Sequence, residues 1–328
     1  MVSANDVTAQ ALWYVAEGMI ELRGETLAPC PDGEHVLLRG LFSGVSRGTE
    51  RLVSAGQVPP SEFTRMRGPH QAGDFPFPVK YGYALVAEVE KGPADLLGRA
   101  VFALHPHQDR VCLPAAEVRP LPDGLPPRRA VLAANMETAL NVLWDSEARA
   151  GDKVLVVGGG ILGLLTAALA RDAGCAVTVV DIRDERAAPC RAFGVAFTLP
   201  DAVPGDQDVV VHTSASEAGL ALALGSARFE GTVVEASWYG DLAPRVPLGG
   251  AFHSRRLRLV SSQVSAVSPG RRAEWSHARR RDLALELLCD DRFDALVGDD
   301  IPFSEAPVRL PPVLNRADSH RMPVLRYS

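Results

Sequence analysis

The rhythm of apolar positions changes partway along the chain. Up to residue 125 they come in short runs, among them HVLLRGLF, PVKYGYALVAEVE and RAVFAL, separated by PDG, KGP and LPDG. Short apolar runs bounded by glycine, proline and aspartate predict strands joined by tight turns. This half therefore reads as an irregular β-barrel. The segment PPRRAVLAANMETALNVLWDSEA predicts a single helix, with Pro126 and Pro127 suiting its start and Ala130, Ala134, Thr138 and Leu140 to Leu143 giving helical spacing. From Lys153 the pattern alternates. The β runs KVLVV, AVTVV, AFTL, DVVVHT, GTVVEASW and LRLVSSQ are interleaved with helical stretches, ALALGSARF among them. Six such runs imply an α/β, doubly wound parallel sheet. WSHARRRDLALELLCDD predicts a further helix, and ALVGDDIPFSEAPVRLPPVL with MPVLRYS returns to strand and helix fragments.

The first of the six runs leads into Gly158-x-Gly160-x-x-Gly163, and Asp181 closes the second. Each residue suits dinucleotide binding. Gly158 allows the strand-to-helix turn, Gly160 admits a pyrophosphate close to the backbone, and Gly163 lets helix and strand pack tightly. A carboxylate at Asp181 accepts hydrogen bonds from ribose hydroxyls and repels a 2′-phosphate, so NAD(H) is expected rather than NADP(H). Arg183 is the residue that would favour the phosphorylated form. The residues expected along the cofactor are Gly158, Gly160, Ile161, Leu162, Gly163, Asp181, Ile182 and Arg183, with Thr213, Ser214, Ser262 and Gln263 at later strand ends.

Composition removes several classes of function. The net charge of −6 gives no reason to expect nucleic acid as a partner. No apolar run reaches the roughly 18 residues of a membrane span. The first residues lack the basic flank and apolar core of a signal peptide, so a cytoplasmic protein is expected. Cys30, Cys112, Cys175, Cys190 and Cys289 lie far apart, and are expected to be reduced packing thiols.

SGVSRGTE (43–50), PVKYGYALVAEVEKG (78–92), GRAVFALHP (98–106) and the glycine motif together resemble the medium-chain dehydrogenase/reductase superfamily, over essentially the whole chain. Asp181 and the GGGILG turn favour its alcohol and polyol dehydrogenase branch, and SRGTERL is similar to the bacteriochlorophyllide a dehydrogenase group. The resemblance implies a GroES-like β-barrel catalytic domain, residues 1–126 and 271–328, and a Rossmann domain, residues 127–270. It also implies a homodimer formed through the edge strand LRLVSSQ. Zinc-using members carry a cysteine in the first segment, a Gly-His-Glu motif and a later Cys or Glu. Here those positions read Ser46 and Arg47, then Gly82-Tyr83-Ala84, then Ala134. Glu137 alone does not make a site, and the four-cysteine structural lobe is missing. No catalytic or structural zinc is expected.

Without the metal, a side chain must handle the proton. Tyr83 stands where the zinc-binding histidine would be, either as a donor to a carbonyl oxygen or as filling for the vacated space. His105 matches a substrate-lining position and would titrate near neutrality. His107 is expected to be exposed. Thr49 matches the family's relay hydroxyl, and Glu50 an acidic residue that holds Arg47 or Arg51. A metal set of His70, His105, His107 and Asp109 is a further arrangement. Of the arginines at 271–272 and 279–281, most should be solvated; a cleft-facing one would suit an acidic or phosphorylated substrate, with Trp275 capping the cleft or packing. The expected function is zinc-independent hydride transfer between nicotinamide and a secondary alcohol or ketone. An enoyl or quinone reductase, or a nucleotide-binding protein without catalysis, are the alternatives.

Overall fold

The computed structural model describes residues 7–31, 33–316 and 320–328. Val7–Ala16 and Met19–Leu27 form an antiparallel hairpin turned at Gly18, whose φ of +66° suits glycine. His35–Gly44 is the hub of the second barrel sheet. It pairs antiparallel with Leu85–Lys91, with Arg110–Pro114 and with the C-terminal strand Met322–Arg326. Val297–Pro302 lies parallel to that last strand, so the tail completes the sheet begun by the first half. Helix α1 (Arg47–Ser54) follows the hub strand directly.

Helix α2 (Ala133–Ser146) leads into the second half of the chain. The single helix expected over 126–148 is broken. A short helical turn, Pro127–Ala130, precedes α2; its Arg129 is drawn to the Asp294 carboxylate and to the carbonyls of Leu288 and Cys289.

Six parallel strands then form one sheet: β1 (Lys153–Val157), β2 (Ala176–Val180), β3 (Ala196–Thr198), β4 (Gln207–His212), β5 (Ala227–Glu235) and β6 (Arg258–Ser261). Their spatial order is 3-2-1-4-5-6, with the direction of winding reversing between β1 and β4. A ligand crevice is expected at that switch point, at the carboxyl ends of the strands. Val154 to Val157 are all buried, as continuous apolar strands covered on both faces should be. Helix α3 (Ile161–Asp172) links β1 to β2, and α4 (Glu217–Ser226) links β4 to β5. Ala227 to Phe229, read as the end of that helix, belong to β5.

Helix α5 (His277–Leu287) packs on α2, and its Ala284 and Leu285 join the core of the parallel-sheet half. The return to the barrel sheet begins at Val297. The two halves share apolar surface: Ala84, Val86 and Phe102 of the barrel lie in one buried cluster with Val156 and Leu164.

The expectation that all five cysteines are reduced is corrected. Cys30 and Cys112 form a disulfide, with Cα atoms 5.7 Å apart. Cys112 lies on Arg110–Pro114, which pairs with the hub strand just after Cys30, and this long-range pairing brings together residues that the sequence separates by 82. Cys175, Cys190 and Cys289 are free. A non-reducing peptide map should recover the Cys30–Cys112 crosslink. Closing so long a loop should add about 3–4 kcal/mol over Cys30→Ser; equal urea midpoints for the two proteins would count against the bond.

Candidate active site

The glycine loop meets three different steric demands. At Gly158, φ is +109°, and a Cβ would lie 2.8 Å from Thr213 Oγ1 and 3.0 Å from the Ser214 nitrogen. At Gly163 a Cβ would overlap the Gly158 carbonyl oxygen. At Gly160 nothing lies within 4 Å. Two glycines thus serve the protein's own packing, and the third leaves open space at the start of α3. There the unpaired N–H groups and the helix dipole favour an anion.

Asp181 ends β2 beside this loop. Its Oδ2 accepts from the Gly159 N–H at 2.7 Å and its Oδ1 from the Arg183 N–H at 3.0 Å. The Arg183 guanidinium lies 3.6 Å from Glu185. Ile182 is 79% exposed, an unusual state for so apolar a side chain. Ile161 and Leu162 are half-buried in the first turn of α3. Thr213 Oγ1 donates to the Gly158 carbonyl at 2.9 Å, tying the end of β4 to the loop. Ser262 Oγ donates to Asp145 at 2.6 Å, and the Gln263 carboxamide oxygen accepts from the Ser265 N–H at 2.6 Å, so both side chains are engaged locally. Sequence reasoning passed over Arg186, which is buried with its stem packed behind Gly159. No motif signals it.

On the barrel side, α1 carries Thr49 half-buried and Glu50 fully buried. Glu50 holds neither Arg47 nor Arg51. It reaches back to accept from the Ser46 N–H at 2.7 Å, and takes the Tyr14 hydroxyl at 2.7 Å and His107 Nε2 at 2.9 Å. Arg47 donates instead to the Arg316 carbonyl. His107, expected to be exposed, is completely buried. With Nε2–H given to the carboxylate, its Nδ1 accepts from Ser43 Oγ at 2.7 Å, and Ser43 Oγ lies 2.9 Å from the Tyr327 hydroxyl. Gly82 makes room for this ring, since a Cβ there would come within 2.8 Å of it. Burial, then the Glu50 charge, pushes the Tyr14 phenol well above its ordinary range.

Tyr83 packs against the apolar clusters of both halves and meets Tyr81 edge-on at 6.0 Å. Burial raises its phenol to about 12, against opposing hydrogen bonds with Ser46 and Thr49. It is therefore a neutral O–H at physiological pH. His105 does not titrate near neutrality. Burial pulls it down to about 3, against the pull of the Pro106 carbonyl, which lies 2.9 Å from Nδ1. The ring is a neutral imidazole with its proton on Nδ1 and a lone pair on Nε2, an acceptor rather than an acid.

The metal set of His70, His105, His107 and Asp109 does not converge. His70 Nε2 lies 2.6 Å from Glu117 while its ring stacks on His105 at 5.3 Å, and Asp109 accepts from the Gln10 N–H at 2.7 Å. Among the described residues, no group of three or more His, Cys, Asp or Glu side chains is placed to hold a metal ion. Of the five arginines at 271–272 and 279–281, Arg271, Arg272 and Arg279 are exposed, as expected of most of them. Arg280 is buried against Glu137 at 3.3 Å, Asn141 at 2.8 Å and the Val264 carbonyl at 2.7 Å, and Arg281 also pairs with Glu137 at 3.0 Å. Arg279 covers Trp275, which packs on Trp144 with ring centroids 4.9 Å apart.

The two sides meet where the loop after β5 crosses α1. A Cβ on Gly240 would lie 2.6 Å from the Gln57 carbonyl and 3.0 Å from Leu52. The carboxyl end of β5 carries Glu235. Burial alone would raise its carboxyl, but the hydrogen bond from His212, with those from Ser237, outweighs burial and holds it below the ordinary range.

Residues 156–198 match the family model of an NAD(P)-binding Rossmann-like domain. The chain is 27% identical over 223 residues to D-guloside 3-dehydrogenase from Escherichia coli K12, an alignment spanning 61% of this chain and 64% of that enzyme. The fold is that of L-idonate 5-dehydrogenase from E. coli, with a TM-score of 0.79 and 13% identity over 98% of this chain and 99% of the other. It is also that of a Sinorhizobium meliloti protein assigned as a zinc-binding dehydrogenase and solved with NADP, with a TM-score of 0.75 and 20% identity over 98% and 99%.

Proposed function

We propose that this chain, a medium-chain dehydrogenase/reductase by fold and sequence relationship, is an oxidoreductase moving hydride between NAD(H) and a secondary alcohol or ketone. The observation that carries this reading is the opening at Gly160, framed by the packed Gly158 and Gly163 and by the Asp181 carboxylate. These residues fit a dinucleotide: Gly160 and the first turn of α3 would take the pyrophosphate, Asp181 the adenosine ribose, and Ile182 an apolar ring face. Thr213, Ser214, Ser262 and Gln263 lie on the nicotinamide side of this reading. The bound nicotinamide supplies the hydride acceptor or donor. Substrates of the relatives, a guloside and an idonate, favour a polyhydroxylated secondary alcohol.

The residues at the family's zinc positions do not fit the ion. Zinc needs converging sulfur, imidazole or carboxylate donors, whereas Ser46, Tyr83 and Ala134 present a hydroxyl, a phenol and a methyl group. No step is derived through a metal. In this reading the Tyr83 phenol donates to the substrate oxygen, steadied by Thr49, and His105 lines the cleft as an acceptor. β6 is the edge of its sheet, and self-pairing there would give a homodimer.

Calorimetric titration with NADH and NADPH tests the cofactor. NADH should bind at least about tenfold more tightly, because a 2′-phosphate would meet the Asp181 carboxylate. Asp181→Ala should remove most of that difference. Tighter NADPH binding by the wild-type chain would overturn the assignment and turn attention to Arg183.

A further inference from the structure

At the carboxyl ends of β4 and β5, one hydrogen-bonded line of side chains has a single consistent direction. His212 is completely buried, with Nδ1 2.6 Å from Glu235 Oε2 and Nε2 2.7 Å from Ser214 Oγ. The carboxylate only accepts, so in the neutral ring the proton sits on Nδ1 and Nε2 is left to accept from the Ser214 hydroxyl. Ser214 Oγ lies 2.9 Å from Ser216 Oγ, which caps α4 by accepting from the Gly219 N–H at 3.0 Å. Ser216 therefore donates to Ser214. The far end is equally fixed, because Glu235 Oε1 accepts from the Ser237 N–H at 2.8 Å and Oε2 from the Tyr239 hydroxyl at 3.2 Å. Ser214 is exposed and adjoins the glycine loop, since a Cβ on Gly158 would lie 3.0 Å from its nitrogen. It gives one proton to His212, accepts one from Ser216, and keeps one lone pair toward the crevice.

We propose that Glu235, His212 and Ser214 form a proton-accepting relay whose exposed end, Ser214 Oγ, receives a hydroxyl of the dinucleotide's ribose. The inference rests on the dinucleotide reading above. A hydroxyl donating to Ser214 can pass its proton there as the serine's own proton moves to His212 Nε2. The ribose oxygen takes in turn the proton of the alcohol being oxidised, so the net change is one proton moved from that alcohol to His212, and the resulting imidazolium is stabilised by the Glu235 carboxylate. The same trio in a hydrolase would make Ser214 a nucleophile, but that needs N–H groups free to hold an oxyanion. The Ala215 N–H is already given to Ser237 Oγ at 3.0 Å, and that of Gly219 to Ser216. The arrangement accepts protons and does not polarise an acyl group. Neither proton candidate on the barrel side duplicates it, since Tyr83 holds its proton to about 12 and His105 gives Nδ1 to a carbonyl.

Glu235→Gln is the decisive variant. The Ser237 N–H keeps the amide oxygen on its own side, so the amide NH₂ faces His212 Nδ1. The ring must then carry its proton on Nε2, which reverses the line. Histidine ¹⁵N spectra of the cofactor-free chain at mildly alkaline pH should show His212 protonated on Nδ1 in the wild type and on Nε2 in the variant. NADH titration should show binding about fivefold weaker in both Ser214→Ala and Glu235→Gln, the effect of one hydrogen bond lost. An Nε2 proton in the wild-type ring overturns the relay. Unchanged NADH affinity in both variants overturns the ribose assignment, and covalent capture of Ser214 by a fluorophosphonate overturns the relay in favour of a nucleophile. Failure of the wild-type chain to bind NADH removes the dinucleotide reading and the ribose assignment with it, while the ¹⁵N result still decides the direction of the line.

Discussion

Tyr83→Phe is expected to lower ketone reduction by about 10²- to 10³-fold, the usual worth of one positioned proton donor, with NADH affinity unchanged within about twofold. The substitution removes one oxygen and keeps the ring that packs on the clusters of both halves. The loss should therefore fall on turnover and not on folding or on the distant glycine loop. The wild-type pH profile supplies an independent check. Tyr83 is raised to about 12, so it remains protonated, and able to donate, up to that pH. Reduction should show no descending limb from this group below about pH 11. His105, held near 3, is already deprotonated throughout the working range and should add no limb near neutrality. A descending limb at about pH 6–7 would identify an imidazole as the donor, and undiminished turnover in Tyr83→Phe would remove the phenol from the chemistry altogether.

What could be read from the sequence was local. Gly158, Gly160, Gly163 and Asp181 lie within one strand, helix and strand, and their roles follow from backbone geometry over a few residues. The six-run alternation gave the parallel sheet for the same reason, since the central runs, Val154 to Val157 and Val209 to Val211, are continuous and apolar and are buried on both faces. The residues that the sequence left unplaced all depend on distant partners. His107 sits in a loop of proline and polar residues, which reads as exposed, yet the chain folds it against Glu50 on α1 and Ser43 on the hub strand. Arg280 lies in a run that resembles a solvated helix face, and only the packing of α5 on α2 brings it to Glu137 and Asn141. Cys30 meets Cys112 because two strands pair across the barrel. The Glu235, His212 and Ser214 line is intermediate. Its residues close adjacent strands, but nothing in their spacing shows that two carboxyl ends will lie side by side in this register.

Glu50→Ala should be the most destabilising of the single substitutions considered, at about 3–5 kcal/mol in urea or thermal unfolding. The carboxylate is fully buried and takes three hydrogen bonds, from Tyr14, His107 and the Ser46 N–H that opens α1. Alanine leaves all three donors in a site closed to water, where each unmet group carries its own desolvation penalty. It also loosens the first turn of α1, which bears Thr49 and borders Tyr83. Glu50→Gln separates the structural part from the charge. Its amide oxygen can still accept from Ser46, but its NH₂ replaces an acceptor facing two donors. His107 can meet it only by moving its proton to Nδ1, which requires Ser43 to turn its own hydroxyl away. That rearrangement stays within the line Ser43 to Tyr327, so the loss should be smaller, about 1–2 kcal/mol. A near-neutral Glu50→Ala would mean that water reaches this network, and the buried line through His107 would then have no part in holding α1 against the cleft.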